Sequence, residues 1–190
     1  HLLMGTRLLS KTSAALTNAS KGRVPQWSSA TPQPLQRLHL PKPSSQDQRP
    51  RVVYLAACVS RAMGPAARDQ EQEPLLDTTR TLLEKAGYQV IFPDELNNLC
   101  CGQPFASKGY AEQAEQKRQE TLDALLKASR GGLDPIYCDT SPCTLRLVQD
   151  LADDRLQVFD PVRFIRTHLI DKLDFEPQDA PVAVHVTCST

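Results

Sequence analysis

The sequence predicts an α/β domain: an open, mostly parallel sheet with helices on both faces, preceded by a Pro-rich linker. Three observations carry this expectation. Short apolar runs of strand length recur along the chain, they alternate with longer stretches of helical periodicity, and cysteines gather where the runs end. Strands separated by whole helices need crossover connections, which parallel pairing satisfies most simply.

Residues 1–21 read as a short helical segment from a preceding domain, amphipathic through Ala15 and Leu16. From 22 to 50 the chain is dense in Pro, Ser and Gln. Pro25, Pro32, Pro34, Pro41, Pro43 and Pro50 forbid a continuous helix or a central strand there, so this stretch is expected to be a stiff linker. The folded body is expected over 51–180. It opens with the apolar run from Arg51 to Cys58, which suits a strand buried on both faces. A helix follows from Pro74 to Ala86, with Leu75, Leu76, Thr79, Leu82 and Leu83 at helical spacing and Gly87 as its stop. Tyr88 to Phe92 is the second strand.

A long helix is expected over about 107–129, with Ala111, Ala114, Leu122, Leu125 and Leu126 inward and Gly131-Gly132 ending it. Pro135 to Cys138 gives a third strand. The loop from Asp139 to Cys143 leads into a helix carrying Leu145, Leu147, Val148 and Leu151. Leu156 to Phe159 is a fourth strand. Asp160-Pro161 starts the last helix, with a capping acid and a proline in the first turn. Pro181 to Thr187 is a fifth strand. Val182–Thr190 echoes Val52–Ser60, an apolar strand and then a cysteine, so 181–190 is expected to begin a second copy of the domain. The chain starts at His1 and stops just past this strand; both ends are expected to be cuts in a longer protein.

The 22 basic and 22 acidic residues balance, yet unevenly. Residues 1–46 hold six Lys or Arg and no acid, leaving 16 basic against 22 acidic in the remainder. A mildly acidic body with no basic cluster argues against a nucleic-acid partner. Apolar runs such as Leu2-Leu3-Met4 fall far short of the ~20 residues needed to cross a bilayer. No Gly-rich phosphate loop, catalytic triad or paired carboxylates stand out.

Chemistry is carried by the cysteines. Cys100-Cys101-Gly102 is poorly suited to core packing: adjacent thiols cannot bridge each other comfortably, yet both can reach neighbouring metal atoms if glycine turns the backbone. Cys58 precedes Cys100 by 41 intervening residues, Cys101 precedes Cys138 by 36, and Cys138 precedes Cys143 by four. These domain-scale spacings differ from the compact pairs of a zinc ribbon. In a parallel α/β sheet, ligands gather beyond the carboxyl ends of the strands, where Cys58, the Cys100-Cys101 loop and the Cys138–Cys143 loop all fall. Such thiols suit a multi-iron centre, reduced rather than disulfide-bonded. Asp139 reads either as a residue that hydrogen-bonds and positions the cysteine-loop backbone or as an ordinary turn aspartate; Lys108 and Arg118 are near enough to the Cys100-Cys101 loop to offset cluster charge, though a solvated helix face is the more economical reading. His39 and His168 read as linker and helix-surface residues, and His185 as a buried strand residue.

These residues resemble the cysteine-rich CCG domain of heterodisulfide reductase and of the glycolate oxidase iron-sulfur subunit. The likeness rests on Cys58 at a strand end, Cys100-Cys101-Gly102-Gln103-Pro104 with Gly109 following, and the loop from Asp139 to Cys143. Cys188 looks like the opening cysteine of a second repeat. More narrowly, the DTSPCTLRL stretch and the Pro-rich segment before the body resemble fusion proteins that join an FAD-binding dehydrogenase, a ferredoxin-like segment and two CCG repeats. The resemblance implies an FAD- and iron-sulfur-dependent oxidoreductase acting on a D-2-hydroxyacid, D-lactate or D-2-hydroxyglutarate. This part would bind a cluster of the 4Fe-4S type through Cys58, Cys100, Cys101 and Cys143, with Cys138 as a fifth metal ligand, and would relay electrons. FAD belongs to the missing part, so the fragment alone is not expected to turn over substrate. The implied partners are the FAD-binding and ferredoxin-like domains, the second CCG repeat and an electron acceptor, in the cytoplasm or at the inner face of the membrane. The alternative is an interaction domain, zinc-binding or metal-free, that links the dehydrogenase to its acceptor. A thiol-disulfide catalyst is a third reading, with no CxxC to anchor it.

Overall fold

The computed structural model of the chain describes residues 18–21, 32–35, 40–41, 44, 46–66, 72–149, 155–177 and 179–184. The chain falls into two units, one of residues 1–39 and 59–78 and one of 40–58 and 79–190. In the first unit, strand β1 (Pro32–Pro34) pairs antiparallel with β3 (Met63–Ala66). The Pro-rich stretch expected as linker thus supplies a strand of a two-stranded pair, where a missing proline N–H costs little. Of the expected N-terminal helix, only residues 18–21 are described, a closing turn with Lys21 N–H donating to the Asn18 carbonyl.

The second unit holds a four-stranded sheet, all parallel, of β2 (Arg51–Leu55), β4 (Gln89–Ile91), β5 (Ile136–Cys138) and β6 (Val158–Phe159), in the order β4-β2-β5-β6. This is the open α/β fold that the alternation of runs predicts. The apolar run that opens the body is central, and Val52, Val53 and Tyr54 are fully buried. The strand ends at Leu55, earlier than the sequence suggests, and Cys58 begins helix α1 (Cys58–Ala62). Helix α2 (Leu75–Lys85) follows and closes at Gly87. Register places Tyr54 beside Tyr137, and Tyr137 beside Phe159. Phe164 packs edge-on to both Tyr137 and Phe159, with centroids 5.3 and 5.8 Å away.

A short helix, α3 (Gln103–Ala106), comes first, and the long helix expected over 107–129 forms as α4 (Ala111–Ala128), starting four residues late. Gly109, at φ +82°, ends the first: Gly109 N–H donates to Ala106 and Tyr110 N–H to Phe105. Residues 107–113 are exposed throughout, so no buried stripe marks where the long helix starts. Helix α5 (Ser141–Val148) begins two residues before Cys143 and therefore carries that residue in its first turn.

After β6, Asp160 caps α6 (Pro161–Phe164), accepting from Arg163 N–H, as the Asp-Pro pair predicts. The helix continues as a π-helical turn, Ile165–Leu169. His168, expected on a helix surface, instead lies against Phe164 and Phe159 at 4.6 and 4.9 Å. Burial pushes its imidazole below the usual histidine range. No strand forms over 181–184, where Val182 and Val184 are about four-fifths exposed. A strand needs a neighbour to exchange backbone hydrogen bonds with, and the described residues supply none there. The rest of that expected strand, with His185 and Cys188, lies outside the described residues, as do residues 1–17 and His39. No helix among the described residues is long and apolar enough to cross a membrane.

The fully buried Leu125 joins α4 to the core, whereas Leu133 is 77% exposed in the following turn. Leu125→Ala is expected to destabilise the chain by about 2–5 kcal/mol in urea unfolding, and Leu133→Ala by less than about 0.5 kcal/mol.

Candidate metal centre

The sheet changes direction at β2, with β4 on one side and β5 on the other, so the loops leaving these three strands meet at one edge. Each loop delivers cysteine. Past β2 comes Cys58; past β4 and a 3₁₀ turn, Leu96–Asn98, come Cys100 and Cys101; β5 ends on Cys138, and α5 presents Cys143. All five expected thiols are therefore at the carboxyl edge of the sheet.

Cys101 Sγ and Cys143 Sγ are 3.2 Å apart. Cys143 also interacts electrostatically with Cys138, and Cys100 with both Cys101 and Cys58. The sulfurs form a file in the order Cys58, Cys100, Cys101, Cys143, Cys138. Cys138 and Cys101 are buried, Cys143 and Cys100 half-buried and Cys58 exposed, so the file opens to solvent at its Cys58 end and again at Cys143. Among the described residues, no three Cys, His, Asp or Glu side chains surround one point closely enough to hold a single metal ion.

Hydrogen bonding sets the charge along this file. Cys143 interacts with Cys101 and Cys138, and both push its own thiol far up. The same interactions hold the other two down. Cys101 is lowered to about 6, chiefly by Cys143, against burial and with help from the Gln103 N–H. Cys138 is lowered by Cys143, also against burial. Burial raises Cys100, partly offset by the Gly102 N–H. The Cys101 sulfur thus leans toward the thiolate form that metals require.

Three devices fix the loops. Gly102 sits at φ +85°, and a Cβ there would lie 2.2 Å from the Ala114 carbonyl oxygen, so the turn is pressed directly onto the α4 backbone. Only glycine combines that φ with that approach. Thr121, fully buried on α4, clasps Cys100 from both sides: its hydroxyl accepts from the Cys100 N–H at 3.0 Å and donates to the Cys100 carbonyl at 2.8 Å. Asp139 joins the other two loops. One carboxylate oxygen accepts from the Ala57 N–H, the residue before Cys58, and from the Thr140 hydroxyl; the other accepts from the Tyr54 hydroxyl at 2.9 Å.

Sequence reasoning missed Thr121 and Tyr54 and misread Arg118. Arg118 is 7% exposed rather than on a solvated face, and its guanidinium grips both oxygens of Glu115 at 2.9 and 2.6 Å. The available signal was periodicity: Ala114, Arg118, Thr121, Leu122 and Leu125 form one buried stripe of α4. A polar residue on such a stripe needs a partner. Lys108 is exposed, as expected.

Comparison with known proteins agrees with this geometry. The family described as Cysteine-rich domain, CCG, matches residues 52–148, a span that holds all five thiols. The chain is similar to an uncharacterized iron-sulfur protein of Methanococcus maripaludis, 22% identical over 143 residues, which cover 75% of this chain and 26% of that protein. The chain thus spans about a quarter of the length of this curated relative. No solved structure matches it.

Gly102→Ala is expected to cost at least about 3 kcal/mol, because left-handed strain adds to a backbone clash, whereas Gly109→Ala, with open space around its Cβ, should cost only about 1–2 kcal/mol. Chemical denaturation of the two variants reads the difference. Thr121→Val keeps the shape but strands both polar groups of Cys100, for an expected loss of about 1–3 kcal/mol; hydrogen exchange at the Cys100 amide should accelerate in the same variant.

Proposed function

The chain belongs to the cysteine-rich CCG domain family, and on that premise we propose that its body, residues 51–180, binds an iron-sulfur cluster and serves as an electron-transfer module. The observation that carries this reading is the file of five thiols drawn from three strand-end loops. The donor set fits such a group. Iron-sulfur clusters are held by thiolates, and several metal atoms accept sulfurs arriving from different directions, which suits thiols strung in a file better than one ion would. Cys58, Cys100, Cys101 and Cys143 would hold the cluster, with Cys138 as a fifth ligand. When bound, such a cluster supplies one-electron transfer. The chain's own residues hold the donors in place: Gly102 and Thr121 fix the Cys100-Cys101 turn, and Asp139 keeps the Cys58 and Cys143 loops in register. The iron-sulfur name of the archaeal relative supports the same reading.

The proposal extends to the whole protein: an FAD-linked oxidoreductase of D-2-hydroxyacids, D-lactate or D-2-hydroxyglutarate, with a cluster of the 4Fe-4S type here. FAD-binding and ferredoxin-like domains and a second CCG repeat would belong to the same protein, and an electron acceptor would dock from the cytoplasm or the membrane's inner face. Support comes from Asp139–Leu147 and the Pro-rich segment before the body.

Anaerobic reconstitution with ferrous iron and sulfide tests the module. The expected result is about four irons per chain, matching acid-labile sulfide and visible absorption. Serine at Cys58, Cys100, Cys101 or Cys143 should lower the iron content severalfold. Substoichiometric iron with every cysteine intact, or zinc bound without visible absorption, would overturn the reading and favour an interaction domain.

A further inference from the structure

We propose that Cys101 and Cys143 are also a modification site: in the metal-free chain they close to a reversible disulfide, with low-molecular-weight disulfides as oxidant. The adjacent pair Cys100-Cys101 cannot bridge without strain, but Cys101 and Cys143 stand on separate elements, 42 positions apart in sequence. Their sulfurs are 3.2 Å apart, and a disulfide bond of about 2.05 Å needs an approach of only about 1 Å more. Side-chain torsion supplies that much while both backbones stay fixed, Cys101 by the Gly102 turn against α4 and Cys143 by the first turn of α5. Cys138 also neighbours Cys143, yet it is fully buried and its thiol is directed to the Thr140 carbonyl at 3.7 Å.

Exposure sets the order of events. Cys143 is half-open to solvent and Cys101 is 4% exposed, so Cys143 meets the oxidant first. The Cys143 sulfur attacks one sulfur of the small disulfide, its proton going to the small thiol that leaves, and a mixed disulfide forms. The Cys101 sulfur, 3.2 Å away, then attacks the Cys143 sulfur and displaces the second small thiol. Two protein thiols are oxidised, one small disulfide is reduced to two thiols, and the two protons leave with them. What the bond does rests on the function proposed above: both sulfurs are among the proposed ligands, so the oxidised chain would be closed to the cluster until a dithiol reduces it.

Two measurements on the full metal-free chain decide this. After incubation with oxidised glutathione and alkylation of remaining thiols, peptide mapping should find Cys101 linked to Cys143. Linkage through any other pair, or none while the urea-unfolded chain does cross-link, overturns the proposal. Iron and sulfide are then offered to reduced and oxidised chains. The oxidised chain should take up about tenfold less iron and recover after dithiothreitol treatment. Equal uptake by both overturns the closing role. If the reduced chain binds no iron, the cluster reading fails, and the disulfide stands or falls on the mapping alone.

Discussion

The approach of Gly102 to the backbone of α4 is the constraint on which the rest of the centre depends. A turn with no Cβ lies on the Ala114 carbonyl, and seven residues further along the same helix Thr121 holds both backbone polar groups of Cys100. The Cys100-Cys101 pair is therefore positioned by a helix rather than by the loop that carries it. That matters because the loop has no strand pairing of its own, and a loop of this kind keeps its shape only through such contacts. Sulfur atoms on it could not otherwise meet Cys143, which is set by a different strand and a different helix.

The opposite side of the centre uses an acid in place of a glycine. Asp139 accepts from Ala57, Thr140 and Tyr54 together, so the loops after β2 and β5 share one carboxylate. Tyr54 brings that carboxylate into the core. It is fully buried, burial raises its hydroxyl well above the usual phenol range, and it remains a donor at any ordinary pH. Core packing and site geometry are in this way one structure. The tyrosine that fills the centre of the sheet also fixes the residue next to Cys58.

Much of this was legible in the residues. The strand run from Arg51, the Gly87 stop and the Asp160-Pro161 helix start each combine a hydrophobic period with a residue whose backbone preference is strong, and each element forms close to where it is expected. All five thiols could be named because cysteine at strand ends is chemically distinctive. Features that depend on three-dimensional proximity were not legible. The late start of α4 is set by a left-handed turn at Gly109 inside an exposed stretch, the burial of Arg118 by its pairing with Glu115, and the clasp of Thr121 by the arrival of a loop from 21 residues away. Strand pairing by Pro32–Pro34 was hidden by the rule that proline disfavours strands, which is weak where a strand has only one neighbour.

The central claim is that sulfurs distant in sequence share one polynuclear centre. X-ray absorption at the iron edge of the reconstituted chain tests it most directly. The account predicts a first shell of sulfur with a close second iron atom, and loss of the iron-iron signal when Cys143 is replaced by serine. Iron surrounded only by oxygen and nitrogen, with no iron neighbour, would contradict it.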